Sequence, residues 1–127
     1  CIDAKPGVTN LSVQSIISAS LQHRFSPISA ILPSITNASL RQIAEDKGFV
    51  VEQRPIALDE LPTFEECGAC GTGAIITPLS NIFDPETGET IHYCDETGPV
   101  LLDLYHSLQN IQYGRAEDKH CWTVVVE

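Results

Sequence analysis

The sequence predicts one mixed α/β domain, of the α+β kind. Three observations carry this: two segments with apolar residues at helical spacing, several short β-prone runs bounded by Pro and Gly, and no internal repeat or low-complexity linker to divide the chain. The composition agrees, since 43% of the 127 residues are apolar and 19% are charged, which suits one hydrophobic core with a polar surface.

The elements follow in order. Asn10 to Phe25 is rich in Ser, Ile, Leu and Val with weak alternation and predicts one or two strands joined by a turn. From Thr36 the period changes: Leu40, Ile43 and Ala44 share a helical face, Thr36 is a capping type, and Gly48 suits the position past a helix end. A helix over Asn37 to Lys47 is therefore expected, with Thr36 as N-cap. Phe49 to Ile56 reads as a strand. After the break at Pro55, Leu58 to Glu66 reads as a short acidic helical turn. Ala69 to Pro78 is small and apolar and predicts a strand that leads into a hairpin. The arms of that hairpin are Ile82-Phe83 and Thr90 to Tyr93, around Asp84-Pro-Glu-Thr-Gly88. Gly98-Pro99 opens a second helix on which Val100, Leu101, Leu104, Leu108 and Ile111 recur every three or four residues, and Tyr113-Gly114 ends it. Trp122 to Val126 predicts a closing strand, for five or six strands and two main helices in all.

Charge and cysteine content narrow the function. Seven Lys and Arg against seventeen Asp and Glu give a net charge of −10, which disfavours a phosphate-tracking surface and hence nucleic acid as a partner. No apolar run is long enough for a membrane span, and Cys1 to Asp3 lacks the basic start and apolar core of an export signal, so cytoplasm or an organelle matrix is expected. With no methionine, the first residue is not an initiator, and the chain reads as processed or as a piece of something longer. Five cysteines, an odd number scattered along the chain, argue against a disulfide framework. Cys67-Gly-Ala-Cys70 reads as two buried or half-buried thiols, as a redox dithiol or as half a zinc site. No second C-x-x-C or paired histidine completes a metal site, so no metal is expected. Glu45-Asp46, Glu65-Glu66 and Glu117-Asp118 read as solvated faces, and His106 as an ordinary helix-face imidazole.

Two segments can bind an anion without a basic side chain. Ile31-Leu-Pro-Ser-Ile-Thr36 leads stiffly into the first helix, whose unpaired N-terminal amides and positive dipole end attract phosphate. Gly68-Ala-Cys-Gly-Thr-Gly-Ala74 can point consecutive amides inward as a nest, with the Thr72 hydroxyl as a further donor. Simple capping and a tight bend are the bland alternatives. Neither segment has the spacing of a dinucleotide fingerprint or a P-loop. Together, in an acidic protein, they suggest a small anionic ligand or cofactor.

Here the chain resembles the branched-chain aminotransferases, fold-type IV enzymes that use pyridoxal phosphate. The resemblance is carried by Ile31-Leu-Pro-Ser-Ile-Thr-Asn37, Ser39-Leu40, Ile43-Ala-Glu-Asp46, Val51-Glu-Gln-Arg-Pro-Ile56 and Asp59-Glu-Leu61. It continues through Glu66-Cys-Gly-Ala-Cys-Gly-Thr-Gly-Ala74 with Thr77-Pro78, then Gly98-Pro-Val100, Leu104-Tyr105, Ile111-Gln-Tyr-Gly114 and His120-Cys-Trp122. The resemblance implies that residues 1–127 form the C-terminal, larger, cofactor-binding domain with the fold-type IV pseudo-barrel. The small N-terminal domain and the Schiff-base lysine would lie upstream, leaving no catalytic residue here. It implies that the amides of Ile35 and Thr36 hold the cofactor phosphate with Thr72, and that Gly71, Thr72 and Gly73 hold the substrate carboxylate. Gly73 stands where the family more often has Ala. The redox cysteines of some members fall at Ala74 and Thr77, so that switch is not carried by Cys67 and Cys70.

The implied reaction passes an amino group from leucine, isoleucine or valine to 2-oxoglutarate, in a homodimer, with this chain inactive alone. Lys5-Pro-Gly-Val-Thr-Asn10-Leu11 resembles a family run that begins with a glutamate at the pyridine nitrogen. Lys5 stands in its place, and a cation there opposes the protonated ring. Other fold-type IV enzymes, D-amino-acid aminotransferase and aminodeoxychorismate lyase, are the nearest alternatives. A degenerate redox or non-catalytic module is the alternative from another class.

Overall fold

The computed structural model describes residues 2–4, 10–13, 34–52, 58–85, 87–93 and 96–126. In chain order the strands are β1 (Ile2–Ala4), β2 (Asn10–Val13), β3 (Val50–Glu52), β4 (Glu66–Gly71), β5 (Ile75–Pro78), β6 (Asn81–Phe83) and β7 (Thr90–His92). The helices are α1 (Ile35–Asp46) between β2 and β3, and α2 (Pro99–Gln112) after β7. A 3-10 helix at Leu58–Thr63 precedes β4. The mixed fold expected from the sequence is present, although β2 is the only described part of the Asn10–Phe25 run and β3 the only described strand of Phe49–Ile56.

Five strands form one sheet in the order β3-β2-β1-β4-β5, and β6 and β7 form a separate antiparallel pair. The sheet is antiparallel except for β2 and β3, which pair in parallel with Leu11 opposite Val51. A parallel pair needs a crossover, and α1 lies within it. A crossover helix runs back along its strands, so its N-terminus lies toward the carboxyl ends of β2 and β3, where ligands commonly enter such sheets. The described strands make an open sheet, and no closed barrel forms among them.

Helical periodicity translates directly into the core. Leu40, Ile43 and Ala44 of α1 and Leu101, Leu104 and Leu108 of α2 are buried with Ile76 of β5 in one cluster. Each of the Leu and Ile side chains contributes roughly 1.5–3 kcal/mol by leaving water. Beyond the core, Lys47 at the end of α1 pairs with Asp103 of α2 at 2.8 Å. Gly48 then turns the chain with φ +86°, the left-handed conformation that glycine adopts without penalty.

Three expectations are corrected. The N-cap of α1 is Ser34, whose hydroxyl accepts from the Asn37 amide at 3.2 Å, so the helix starts at Ile35 and Thr36 lies inside its first turn. Trp122 to Val126 forms no strand. Val124, Val125 and Val126 are 84–91% exposed and pair with no described strand, and β-propensity without pairing does not make a strand. Glu66 is not a solvated surface residue. It is 7% exposed and receives the amides of Val100 at 3.2 Å and Leu101 at 2.9 Å. Gly98, the N-cap of α2, has no side chain to offer, and the Glu66 carboxylate from β4 takes over the capping, its charge complementing the positive end of the helix.

Candidate functional site

The first anion cradle is the N-terminus of α1. In any α-helix the leading amides have no partner one turn back. Here Ser34 accepts Asn37 through its hydroxyl and Ala38 through its carbonyl at 3.0 Å, which leaves the Ile35 and Thr36 amides without a helical acceptor. Ile35 is 84% exposed and Thr36 half-buried, so the end of the helix is approachable.

The second cradle is the turn between β4 and β5. Gly71 pairs with Ile75, and Thr72, Gly73 and Ala74 form the exposed connection. The sequence predicts a single apolar strand over Ala69 to Pro78, whereas it folds as a hairpin with its reversal at Thr72–Ala74. Ile75 closes the turn with φ 59°, a left-handed conformation that costs a β-branched residue roughly 1–3 kcal/mol. Its partly buried side chain packs against the main core, which offsets that cost.

The glycines of this segment have different reasons to be glycine. A Cβ on Gly68 would stand 3.0 Å from Ile76 Cγ2 and 3.1 Å from Leu101 Cδ1, a tight fit that would need both buried side chains to give way slightly. A Cβ on Gly71 or Gly73 would meet nothing within 4 Å, and neither residue has a positive φ. Nothing among the described residues requires glycine there. Close approach of an outside group to the backbone is the remaining physical use of a missing Cβ.

The two cradles lie side by side. Asn37, next to Thr36, donates from Nδ2 to the sulfur of Cys70, next to Gly71, at 3.8 Å in a partly buried contact. Ile35, Thr36, Gly71, Thr72 and Gly73 are thus drawn from two segments to one corner of the domain. They offer amides and hydroxyls and no general base. The arrangement can hold an anion and cannot by itself move a proton.

The C-x-x-C motif resolves differently. On a strand, positions three apart face opposite sides, and their Cα atoms stand roughly 10 Å apart. Cys70 packs toward the helix-side core, as does its cross-strand partner Ile76. Cys67 is buried on the other face. A disulfide needs Cα atoms closer than roughly 7 Å, so the pair can neither form one nor share a metal while β4 is intact. No group of three His, Cys, Asp or Glu suited to a metal occurs among the described residues, and no described helix is long and apolar enough to cross a membrane.

A polar cluster missed by sequence reasoning lies at the opposite end of α1. His120 Nε2 meets Asp46 Oδ2 at 2.6 Å, and its ring stacks on Trp122 at 4.8 Å. The His120 hydrogen bond holds the Asp46 carboxyl below its ordinary range. The Thr123 amide, at 2.7 Å, does the same for Asp118. These contacts tie the segment after α2 back to α1.

The chain is similar in sequence and fold to proteins of one family. The amino-transferase class IV profile matches residues 20–82. The chain is 41% identical over 107 residues to a branched-chain-amino-acid aminotransferase of Haemophilus influenzae, covering 77% of this chain and 29% of that protein. It is 36% identical over 95 residues to the chloroplastic branched-chain-amino-acid aminotransferase 5 of Arabidopsis thaliana, covering 74% of this chain and 22% of that protein. Among solved structures, the branched-chain amino acid aminotransferase from Thermobaculum terrenum in its PLP-form superposes with a TM-score of 0.63 at 28% identity. That match covers 91% of this chain and 32% of the other. The chain spans under a third of the length of the curated relatives it matches.

Proposed function

Because the chain belongs to the amino-transferase class IV family, we propose that it is the phosphate- and carboxylate-binding part of a branched-chain amino-acid aminotransferase. The observation that carries the proposal is the convergence of two amide-rich cradles, from α1 and from the β4–β5 turn, through the Asn37–Cys70 contact. A phosphate monoester and a substrate carboxylate are two anions needing two such cradles side by side.

The residues fit pyridoxal phosphate as far as the phosphate end is concerned. The Ile35 and Thr36 amides, supported by the helix dipole, and the Thr72 hydroxyl form the donor set for the phosphate. The amides of Gly71, Thr72 and Gly73 supply a neutral cradle for the carboxylate of an amino acid or 2-oxo acid. When bound, the cofactor supplies an electron sink through which an amino group passes from leucine, isoleucine or valine to 2-oxoglutarate. This chain's part is to hold and orient both anions. The Schiff-base lysine that completes the reaction is assigned to a preceding segment, and so the chain alone is inactive. The whole protein is proposed to be a homodimer of the cytoplasm or an organelle matrix.

The test uses the full-length protein. Thr72→Val is expected to raise the Kd for pyridoxal phosphate about tenfold, through loss of one charge-assisted hydrogen bond, and to slow leucine transamination. Wild-type affinity in this variant, or no cofactor binding by the full-length protein, overturns the assignment. For the isolated chain, no amino transfer is expected with added cofactor. A borohydride-fixed adduct at a single lysine in stoichiometric yield refutes its inactivity.

A further inference from the structure

We propose that Asn37 is a positioning residue: its bond to Cys70 fixes the spacing of the two anion cradles and thereby sets the affinity for the cofactor phosphate. The inference rests on the functional reading above and deepens it.

Helix α1 is anchored unevenly along its length. Its buried residues, Leu40, Ile43 and Ala44, begin in the second turn, and its ion pair through Lys47 lies at the far end. The first turn has no such hold, since Ser34, Ile35 and Ala38 are exposed. Among the described residues, Asn37 supplies the side-chain hydrogen bond from this turn to the sheet. It is bound at both ends: its backbone amide donates to the Ser34 hydroxyl at 3.2 Å, and its side-chain amide donates to Cys70 Sγ at 3.8 Å. Cys70 is in turn fixed by strand pairing opposite Ile76. The link therefore joins the residue after Thr36 to the residue before Gly71, one position from each cradle.

An anion gripped from both sides gains only if the two sets of donors already stand at the right separation. Otherwise, part of the binding energy goes into ordering the first turn. Sulfur is a weak acceptor, so the effect is modest. It falls on affinity and not on the chemical step, because neither side chain touches the reacting atoms.

The experiment is a double-mutant cycle in the full-length protein, with equilibrium binding of pyridoxal phosphate as the readout and inorganic phosphate as competitor. Asn37→Ala and Cys70→Ala are each expected to raise both dissociation constants three- to tenfold. The double variant should be no worse than either single one. Cys70→Ser, whose hydroxyl still accepts, should bind within about twofold of wild type. The kcat of the cofactor-saturated protein and the Tm of the cofactor-free protein should be unchanged. Wild-type affinity in Asn37→Ala, full additivity of the two alanine variants, or a Cys70→Ser variant as weak as Cys70→Ala overturns the proposal. Failure of the wild-type protein to bind pyridoxal phosphate is a different result and refutes the functional reading beneath it.

Discussion

Removing the Glu66 carboxylate should cost more stability than any other single change to a charged group in the described residues, and in a way that depends on residue 98. Glu66 accepts the Val100 and Leu101 amides at 3.2 and 2.9 Å while 7% exposed. Losing an ordinary N-cap costs about 1 kcal/mol, which sets the floor. Two bonds to a charged acceptor at roughly 1.5–3 kcal/mol each set the ceiling. With water entering the vacated cleft, Glu66→Ala should cost about 2–4 kcal/mol. At a urea m-value of roughly 2 kcal/mol/M this lowers the unfolding midpoint by about 1–2 M, measured by far-UV circular dichroism. Gly98 supplies the control. A Cβ there would overlap Glu66 Cγ and Cδ, so Gly98→Ala should cost about 2 kcal/mol or more with Glu66 present. In the Glu66→Ala background the space is open, and the same change should cost less than about 1 kcal/mol. Equal costs in the two backgrounds, or a Glu66→Ala midpoint within about 0.25 M of wild type, would refute this account of how α2 is capped.

Gly71→Ala and Gly73→Ala should leave the unfolding midpoint unchanged or slightly raised, since an added Cβ meets no atom and neither φ is positive. Gly71→Ala should still raise the KM for 2-oxoglutarate in the full-length protein, since its amide is assigned to the substrate carboxylate, and a destabilised variant would show that packing does require the glycine. The Asp46 and Asp118 carboxyls are held low in the folded state, so their stabilisation is present above the ordinary carboxylate range and is lost as pH falls through their depressed values. Fluorescence of Trp122, the single tryptophan, should therefore change below about pH 4, and Asp46→Asn should remove part of that transition; an identical titration in the variant counts against the His120–Asp46 contact as the tie between the segment after α2 and α1. Mild oxidation of the folded protein should produce no Cys67–Cys70 disulfide, and its detection by mass spectrometry without loss of secondary structure contradicts the strand assignment.

The helices were legible because their evidence is local. Leu40, Ile43 and Ala44, and Leu101, Leu104 and Leu108, repeat at the helical period, and each set is buried. Their caps were less legible. Ser34 and Thr36 are both capping types two residues apart, and only the path of the chain selects Ser34. The cap of α2 lies more than thirty residues away in sequence, at Glu66, where no local pattern could reveal it. The β4–β5 reversal has no local mark, since Ala69 to Pro78 is small and apolar and Thr72-Gly73-Ala74 lacks the Asn-Gly or Asp-Gly signature of a tight hairpin turn. At Trp122 to Val126 the composition misleads in the other direction, since the strand-forming residues pair with no described strand. The cradle residues themselves were nameable because glycine, threonine and a helix start carry their chemistry in the backbone.

That unjoined segment has a consequence for the chain in solution. Thr123-Val-Val-Val126 offers exposed backbone and β-branched side chains, with no proline and no charge within it, the composition from which intermolecular strands stack. The net charge of −10 opposes such stacking through a repulsion reaching about 30 Å in 0.01 M salt but only about 8 Å at physiological ionic strength. Added salt should therefore promote association of this chain through residues 123–126, and Val125→Lys should suppress that salt dependence without touching the core.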